Sequence, residues 1–232
     1  LFKALRGAHI DHVVGITRAW PLMRSLQIPG AKITTKQLDK GECNEWAMQM
    51  DIDTELEIDT EFPAGDLGAV VFTSGSTGPA KGVQYSRGHI ARTVEALKSQ
   101  YSLIPKDVII AAFAPWAVFG PALGIASVLP NMDPARPSSL TYDALEVSVR
   151  SAGGTLLWAS PAALVNVLET APNHANSKKE AVNWDGIRLI LSAGAPVPKS
   201  MLNRLADLIP NASIRTPYGM TEALPLSETT LT

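Results

Sequence analysis

The residues best suited to chemistry run in unbroken order: Thr73, Ser74, Gly75, Ser76, Thr77, Gly78, Pro79, Ala80, Lys81 and Gly82. Glycines let a backbone turn tightly and bring its N–H groups close to an anion. Ser74, Ser76 and Thr77 add hydroxyl donors, and Lys81 adds a positive charge at the far end. Directly before them stands LGAVVF, residues 67–72, which reads as a buried strand. Flexible donors and one lysine at the end of a strand suit a polyphosphate; an ordinary flexible turn is the plainer alternative. A Walker loop is excluded, because it needs Gly before its Lys and Ser or Thr after it, where this chain has Ala80 and Gly82. A hydrolase elbow is excluded too, since no Ser has Gly at both −2 and +2.

Two further clusters carry polar or small groups in useful combinations. Tyr218-Gly219-Met220-Thr221-Glu222 offers an aromatic face for a purine, a hydroxyl for a phosphate and a hard carboxylate oxygen for Mg²⁺. Ser192-Ala193-Gly194-Ala195-Pro196 follows an apolar run, and its small residues let a base lie close to the backbone. Trp116 and Phe119, within residues 114–120, and Trp158 with Ser160 could wall an apolar pocket; core packing explains each of them equally well. The histidines at 9, 12, 89 and 174 show no metal-ligand spacing. Cys43 is the sole cysteine, which excludes an internal disulfide framework and fits a reducing, cytoplasmic compartment.

These groups need a scaffold, and the chain has the material for one. Hydrophobic residues make up 46% of its 232 residues and charged residues 18%, which excludes general disorder. The net charge of −2 provides no basic field for nucleic acid or anionic lipid. Strands are predicted at HVVGIT (12–17), LGAVVF, DVIIAAF (107–113), GTLLWAS (154–160), IRLILSAG (187–194) and ASIRTPYG (212–219). Helices are predicted after residue 17, at 89–101 with Ile90, Val94, Leu97 and Tyr101 on one face, at 140–153, at 161–171 with Pro161 in the first turn, and at 200–210. That alternation predicts an α/β fold with a largely parallel sheet flanked by helices.

Two stretches stand apart. Residues 39–66 hold ten acidic residues against Lys40 and read as a solvated connector; Leu56, Ile58, Thr60 and Phe62 alternate within it like a short half-exposed strand. Val108–Met132 has no charged residue and is long enough to span a bilayer, but Pro115, Pro121 and Pro130 with Gly120 and Gly124 break it up. A strand, a Pro/Gly turn and a buried helix over ALGIASVL is the expectation, with no transmembrane segment. Residues 1–20 lack a signal-peptide pattern.

Taken in order, TSGSTGPAKG, SAGAP and YGMTE resemble the signatures of adenylate-forming enzymes: acyl-CoA synthetases, peptide-synthetase adenylation domains and luciferases. The resemblance covers roughly residues 60–230, with one departure: Pro-Ala-Lys-Gly stands where the family has Pro-Lys-Gly. It implies ATP-dependent activation of a carboxylic acid, in which the carboxylate attacks the α-phosphorus, pyrophosphate leaves and an acyl-adenylate forms. It assigns residues 73–82 with Lys81 to the β/γ-phosphates, Thr221 to the α-phosphate, Glu222 to Mg²⁺, and Tyr218, Gly219 and Gly194–Pro196 to the nucleotide. TPYGMTEALPLSE and VVGIT look most like the β-lactone synthetases of bacterial olefin formation, with fatty-acid CoA ligases the close alternative. A lipid acid is favoured over an amino acid, because no acidic residue in 108–132 could pair with an α-amine. ATP and Mg²⁺ are the implied cofactors, CoA a candidate acceptor, a small carboxylic acid the substrate and lipid-pathway enzymes the candidate partners. A non-catalytic nucleotide-binding module and an amino-acid-activating domain are the competing readings.

By the same resemblance, residues 1–65 are the end of a preceding α/β subdomain plus the connector. Residues 66–232 are a truncated ATP-binding subdomain of a large N-terminal domain. The first residue is Leu1, the phosphate loop comes only about 70 residues in, and the chain stops about ten residues after Glu222. A ribose-binding Asp and a small C-terminal domain with a late Lys are therefore expected to lie beyond it, and the isolated piece is expected to be inactive.

Overall fold

The computed structural model describes residues 13–15, 32–34, 63, 65–73, 81–113, 115–172 and 184–230. They fall into two compact units, Leu1–Gly88 and His89–Thr232. The alternating strand expected at 56–62, most of the acidic connector, the helix expected after residue 17, residues 74–80, and His9, His12 and His174 lie outside the described residues.

In the first unit, β1 (Val13–Gly15) pairs in parallel with β2 (Lys32–Thr34), Val14 opposite Ile33. β3 (Leu67–Thr73) pairs antiparallel with β4 (Lys81–Ser86). The strand expected at LGAVVF is present, but its burial is not: Leu67, Val70 and Val71 are exposed. A continuous apolar run is covered on both faces in the middle of a parallel sheet, whereas this one belongs to a two-stranded antiparallel ribbon. Its partner β4 has a period-two signal, Val83 and Tyr85 half-buried about an exposed Gln84, that was not read from the sequence.

The second unit is built on a six-stranded sheet. After α1 (Arg87–Gln100) come β5 (Val108–Ala112), α2 (Pro115–Ala122), β6 (Ala126–Val128), a 3₁₀ turn at Pro137–Ser139, α3 (Tyr142–Ala152), β7 (Leu156–Ala159), α4 (Pro161–Thr170), β8 (Leu189–Ser192), α5 (Lys199–Leu208), β9 (Ser213–Met220) and β10 (Ala223–Thr230). The spatial order is β10-β9-β8-β7-β5-β6, parallel throughout except for β10 at the edge. In register, Ile110 lies opposite Leu157, Leu157 opposite Ile190, and Ile190 opposite Ile214.

Alternate residues of a strand point to opposite faces, and both faces are covered here. Ile110, Leu157 and Ile190 pack with Leu145 of α3, Leu164 of α4 and Leu205 of α5. Ile109, Leu156 and Leu191 pack with Leu97 of α1 and with Trp116 of α2. Each such aliphatic side chain contributes roughly 1.5–3 kcal/mol when fully buried. The helix ends are encoded locally. Thr141 and Ser160 cap α3 and α4 by accepting N–H bonds from Ala144 and Ala163, each at 3.3 Å. Gly153 closes α3 at φ +64°, where glycine avoids the Cβ clash.

The expectation for residues 113–129 is corrected. The Pro/Gly-rich piece is helix α2, and ALGIASVL holds a turn and strand β6 rather than a helix. Pro115 is the first residue of α2, where a missing N–H is harmless. A strand parallel to β5 needs a crossover, and α2 supplies it. Gly120 permits the return: a Cβ there would lie 2.5 Å from Ser127 Cβ. No helix among the described residues is long and apolar enough to cross a membrane.

Candidate functional site

β5, β7, β8 and β9 run in parallel, so their carboxyl ends form one rim, the position where open α/β sheets bind ligands. The predicted clusters of the second unit lie on that rim. β8 ends at Ser192, which is fully buried; its Oγ has no hydrogen-bond partner among the described residues. The chain then opens through Ala193 to Gly194, at φ +94°, and to exposed Ala195 and Pro196 before α5 begins. A residue with a Cβ is strained at that φ, so the glycine is needed for the turn itself.

β9 lies beside β8 and carries the next cluster. Tyr218, Gly219 and Met220 form its last three residues, Thr221 and Glu222 make the tip, and β10 returns. β10 was not anticipated; Pro225, Ser227 and Glu228 hide an edge strand, a sheet position that tolerates proline. Tyr218 is 64% exposed and Met220 48%. Glu222 is exposed as well. At Gly219 an added Cβ would meet the end of the exposed Leu224 side chain, which would have to shift, and the carbonyl of Ala223 at 3.0 Å. The tip thus presents an aromatic face and a solvent-accessible carboxylate on a narrow ribbon.

Trp116, Phe119 and Trp158 are brought together on the α1/α2 side of the sheet. Trp116 stacks on Trp158 at 3.6 Å between centroids and 19° between planes, and meets Phe119 at 5.1 Å. Both tryptophans are buried and Phe119 is exposed. Against the stacked pair lies an apolar cavity of about 10 Å³, lined also by Tyr101, Leu123 and Ile125. That is at the lower limit for one water, in a lining with nothing to bond it. Ser160 uses its hydroxyl as the cap of α4.

In the first unit, Thr73 and Lys81 face each other across the β3–β4 ladder and bracket the loop; Lys81 is exposed. Ser74, Gly75, Ser76, Thr77 and Gly78 lie outside the described residues. Gly82 is required by packing: a Cβ would fall 2.9 Å from Val70 Cγ1 and 3.1 Å from Phe72 Cε1.

Two polar clusters escaped the sequence reading. At the amino ends of the strands, Asp107 accepts from Arg188 Nη2 at 2.6 Å and Nε at 3.0 Å, from Thr155 Oγ1 at 2.8 Å and from the Ile104 N–H at 2.9 Å. Burial alone would raise its pKa; the bonds from Arg188, Ile104 and Thr155 outweigh that and hold it below the ordinary 3.8. The second cluster, Tyr101, Arg215 and Glu228, joins the end of α1 to β9 and β10. Partners separated by 81 residues leave no local signal. No group of three His, Cys, Asp or Glu residues suited to a metal occurs among the described residues. Glu222 offers an exposed carboxylate, a hard oxygen that would suit Mg²⁺ held largely by water and substrate phosphates.

The chain is similar in sequence and in fold to known proteins. An olefin beta-lactone synthetase of Xanthomonas campestris pv. campestris is 40% identical over 169 residues, covering 71% of this chain and 28% of that protein. An L-proline--[L-prolyl-carrier protein] ligase of Streptomyces coelicolor is 32% identical over 170 residues, covering 68% of this chain and 29% of the ligase. Thus the chain spans under a third of the length of these relatives. Among solved structures, apo MatB from Rhodopseudomonas palustris superposes with a TM-score of 0.68 at 21% identity, covering 99% of this chain and 44% of MatB. VinN with L-aspartate gives 0.67 at 18%, covering 94% of this chain and 52% of VinN. The family model described as AMP-binding enzyme matches residues 9–232, nearly the whole chain, and the chain belongs to that family.

Proposed function

We propose that this chain is part of an enzyme that activates a carboxylic acid with ATP, forming an acyl-adenylate and releasing pyrophosphate. The observation that carries the reading is the adjacency of two clusters. The 193–196 turn and the Tyr218–Glu222 tip leave neighbouring parallel strands at the same end of the sheet. In this reading Gly194, Ala195 and Pro196 lie along the adenine edge, and Tyr218 with Gly219 supplies its stacking face. Thr221 donates to the α-phosphate, and the Glu222 carboxylate holds Mg²⁺, which offsets phosphate charge when bound. The segment 73–82, with Lys81, takes the β- and γ-phosphates. The chemistry asks the protein mainly to hold reactants in line and to stabilise charge.

The acid is a fatty or β-hydroxy fatty acid, on the support of the beta-lactone synthetase likeness and of the uncharged 108–132 segment. Its fate is lactone closure by its own hydroxyl or transfer to CoA. Because Trp116 and Trp158 pack closely, Phe119 is the aromatic of that group left open to an acyl chain. Residues 1–65 end a preceding subdomain, 66–232 belong to the ATP-binding one, and a reducing cytoplasm is the setting. An amino-acid-activating domain is a second reading, favoured by the prolyl-carrier-protein ligase likeness.

ATP–pyrophosphate exchange by the full-length protein, with fatty, β-hydroxy fatty and amino acids in turn, tests this. Exchange that depends on a lipid acid is expected, and Lys81→Ala should slow it by about 10²-fold. A failure to exchange with any of these acids, alongside calorimetric binding of Mg·ATP, would instead identify a non-catalytic nucleotide module.

A further inference from the structure

β9 is held to the sheet only at its start. Its pairs with β8 are Ser213, Ile214 and Arg215, opposite Leu189, Ile190 and Leu191. Beyond Arg215 the ladder to β8 stops; Pro217, two residues on, has no N–H with which to extend it. Among the described residues, β9 from Thr216 to the tip pairs only with β10, with Thr216 opposite Thr229, Pro217 opposite Glu228 and Tyr218 opposite Ser227. The Tyr218–Glu222 cluster therefore stands on a two-stranded arm that has left its sheet. Such a ribbon is marginally stable alone, so its direction is set at its root.

The root is where the side-chain bonds gather. Arg215, the last residue paired to β8, donates from Nη1 to Glu228 Oε1 of the returning strand at 2.9 Å. The same nitrogen reaches the carbonyl of Gln100 at the end of α1, 3.3 Å away. The guanidinium lies 5.8 Å from the ring centroid of Tyr101, within cation–π range. The Tyr101 hydroxyl and Glu228 Oε2 are both buried without a hydrogen bond of standard geometry among the described residues. Burial and then the Glu228 charge push the phenol pKa upward, so Tyr101 stays neutral beside the pair. One arginine thus ties β9, β10 and α1 together at the point where the arm departs.

We propose that Arg215 and Glu228 are positioning residues, a clasp at the root of the β9–β10 arm that fixes where its Thr221–Glu222 tip stands. Its bearing on nucleotide handling rests on the function proposed above; the clasp itself does not.

The experiment uses the present chain with Cys43→Ser and spin labels at Met220→Cys on the arm and Val147→Cys on α3, both exposed positions. A single narrow interspin distance is expected. Arg215→Met and, separately, Glu228→Gln should at least double the width of the distribution, while the helical circular dichroism stays unchanged. Arg215→Lys, which keeps a cation at the root, should narrow it again. Equal widths in parent and Glu228→Gln, which keeps the side-chain shape should Arg215→Met fail to fold, would overturn the clasp; so would a broadening in Arg215→Lys as large as that in Arg215→Met. Mg·ATP titrated calorimetrically into the unlabelled full-length protein forms the second arm, with Glu228→Gln expected to raise Kd about 10-fold, since small misplacements are costly. A full-length parent that binds no Mg·ATP would count against the nucleotide reading and leave the width comparison to decide the clasp.

Discussion

The two ends of the central sheet are finished differently. At the amino ends of β5, β7 and β8, Asp107 accepts four hydrogen bonds, and Arg188 also donates to the carbonyls of Tyr101 and Ser102 at 3.2 and 3.1 Å. A carboxylate only 2% exposed is fully satisfied there. At the carboxyl ends, β8 stops on a buried hydroxyl without a partner among the described residues, then a positive-φ glycine and exposed small residues, and β9 runs out into an arm with Tyr218 open to solvent. Satisfied polar groups rigidify; unsatisfied and exposed ones cost stability and persist where a ligand makes use of them. Hydrogen bonding is thus completed at one end of the sheet and left open at the other, the end where the nucleotide is proposed to bind.

Substitutions at the two ends should separate stability from activity. The largest effect on activity is expected at the tip. In the full-length protein Glu222→Ala should lower acid-dependent pyrophosphate exchange by about 10²–10³-fold, a loss typical of one preorganised transition-state contact. The melting temperature should stay within about 1 °C, because the side chain is exposed. A large melting shift would show that the tip is structural.

Asp107→Ala should do the reverse. Removing one partner of a buried pair costs about 3 kcal/mol, the lower end of the usual range because the Arg188 side chain keeps 39% exposure, or roughly 10 °C of melting temperature. Per folded molecule, exchange should be unchanged, and a loss of exchange without loss of stability would collapse the distinction. The same aspartate sharpens it through pH. Its folded pKa lies below the unfolded value, so its stabilising contribution is complete above about pH 4 and is lost as pH falls through the lowered folded value. In urea titrations the gap between parent and Asp107→Asn should hold constant from about pH 8 to pH 5 and close below about pH 4. A gap that closes near neutrality would assign the effect to another group.

What could be read in advance follows the same division. β5, β7 and β8 were legible because strands covered on both faces are continuous apolar runs. α3 and α4 were legible from their spacing and from Pro161 in a first turn. Residues 113–129 misled because proline reads as a breaker, while a proline that opens a helix supports it. β4 and β10 were missed because each is largely polar and lies at an edge, so neither shows the continuous apolar run of a strand covered on both faces. Of the candidate site, the small and hydroxyl-bearing loops stood out by type alone. The Asp107–Arg188 and Arg215–Glu228 pairs did not, because a single charged residue carries no sign of a partner elsewhere in the chain. Trp116 and Trp158 showed the opposite limit, since an aromatic that packs and one that binds look alike until their neighbours are known.

Ser192 is the smallest test and the most direct one. Its hydroxyl is buried at the end of β8 without a partner among the described residues, so folding removes it from water with no bond in return. Ser192→Ala relieves that desolvation and loses little packing, so the chain's stability should change by no more than about 1 kcal/mol, in the stabilising direction. If the hydroxyl gains its partner only when nucleotide occupies the rim, the same substitution should weaken Mg·ATP binding by about 5–10-fold, one hydrogen bond's worth. Calorimetric titration read beside urea unfolding measures both quantities on one protein. A variant that is less stable yet binds as tightly would place Ser192 among the structural groups. The carboxyl end of the sheet would then be no less finished at β8 than the amino end, and the proposed nucleotide site would rest on the exposed 194–196 turn and the Tyr218–Glu222 arm.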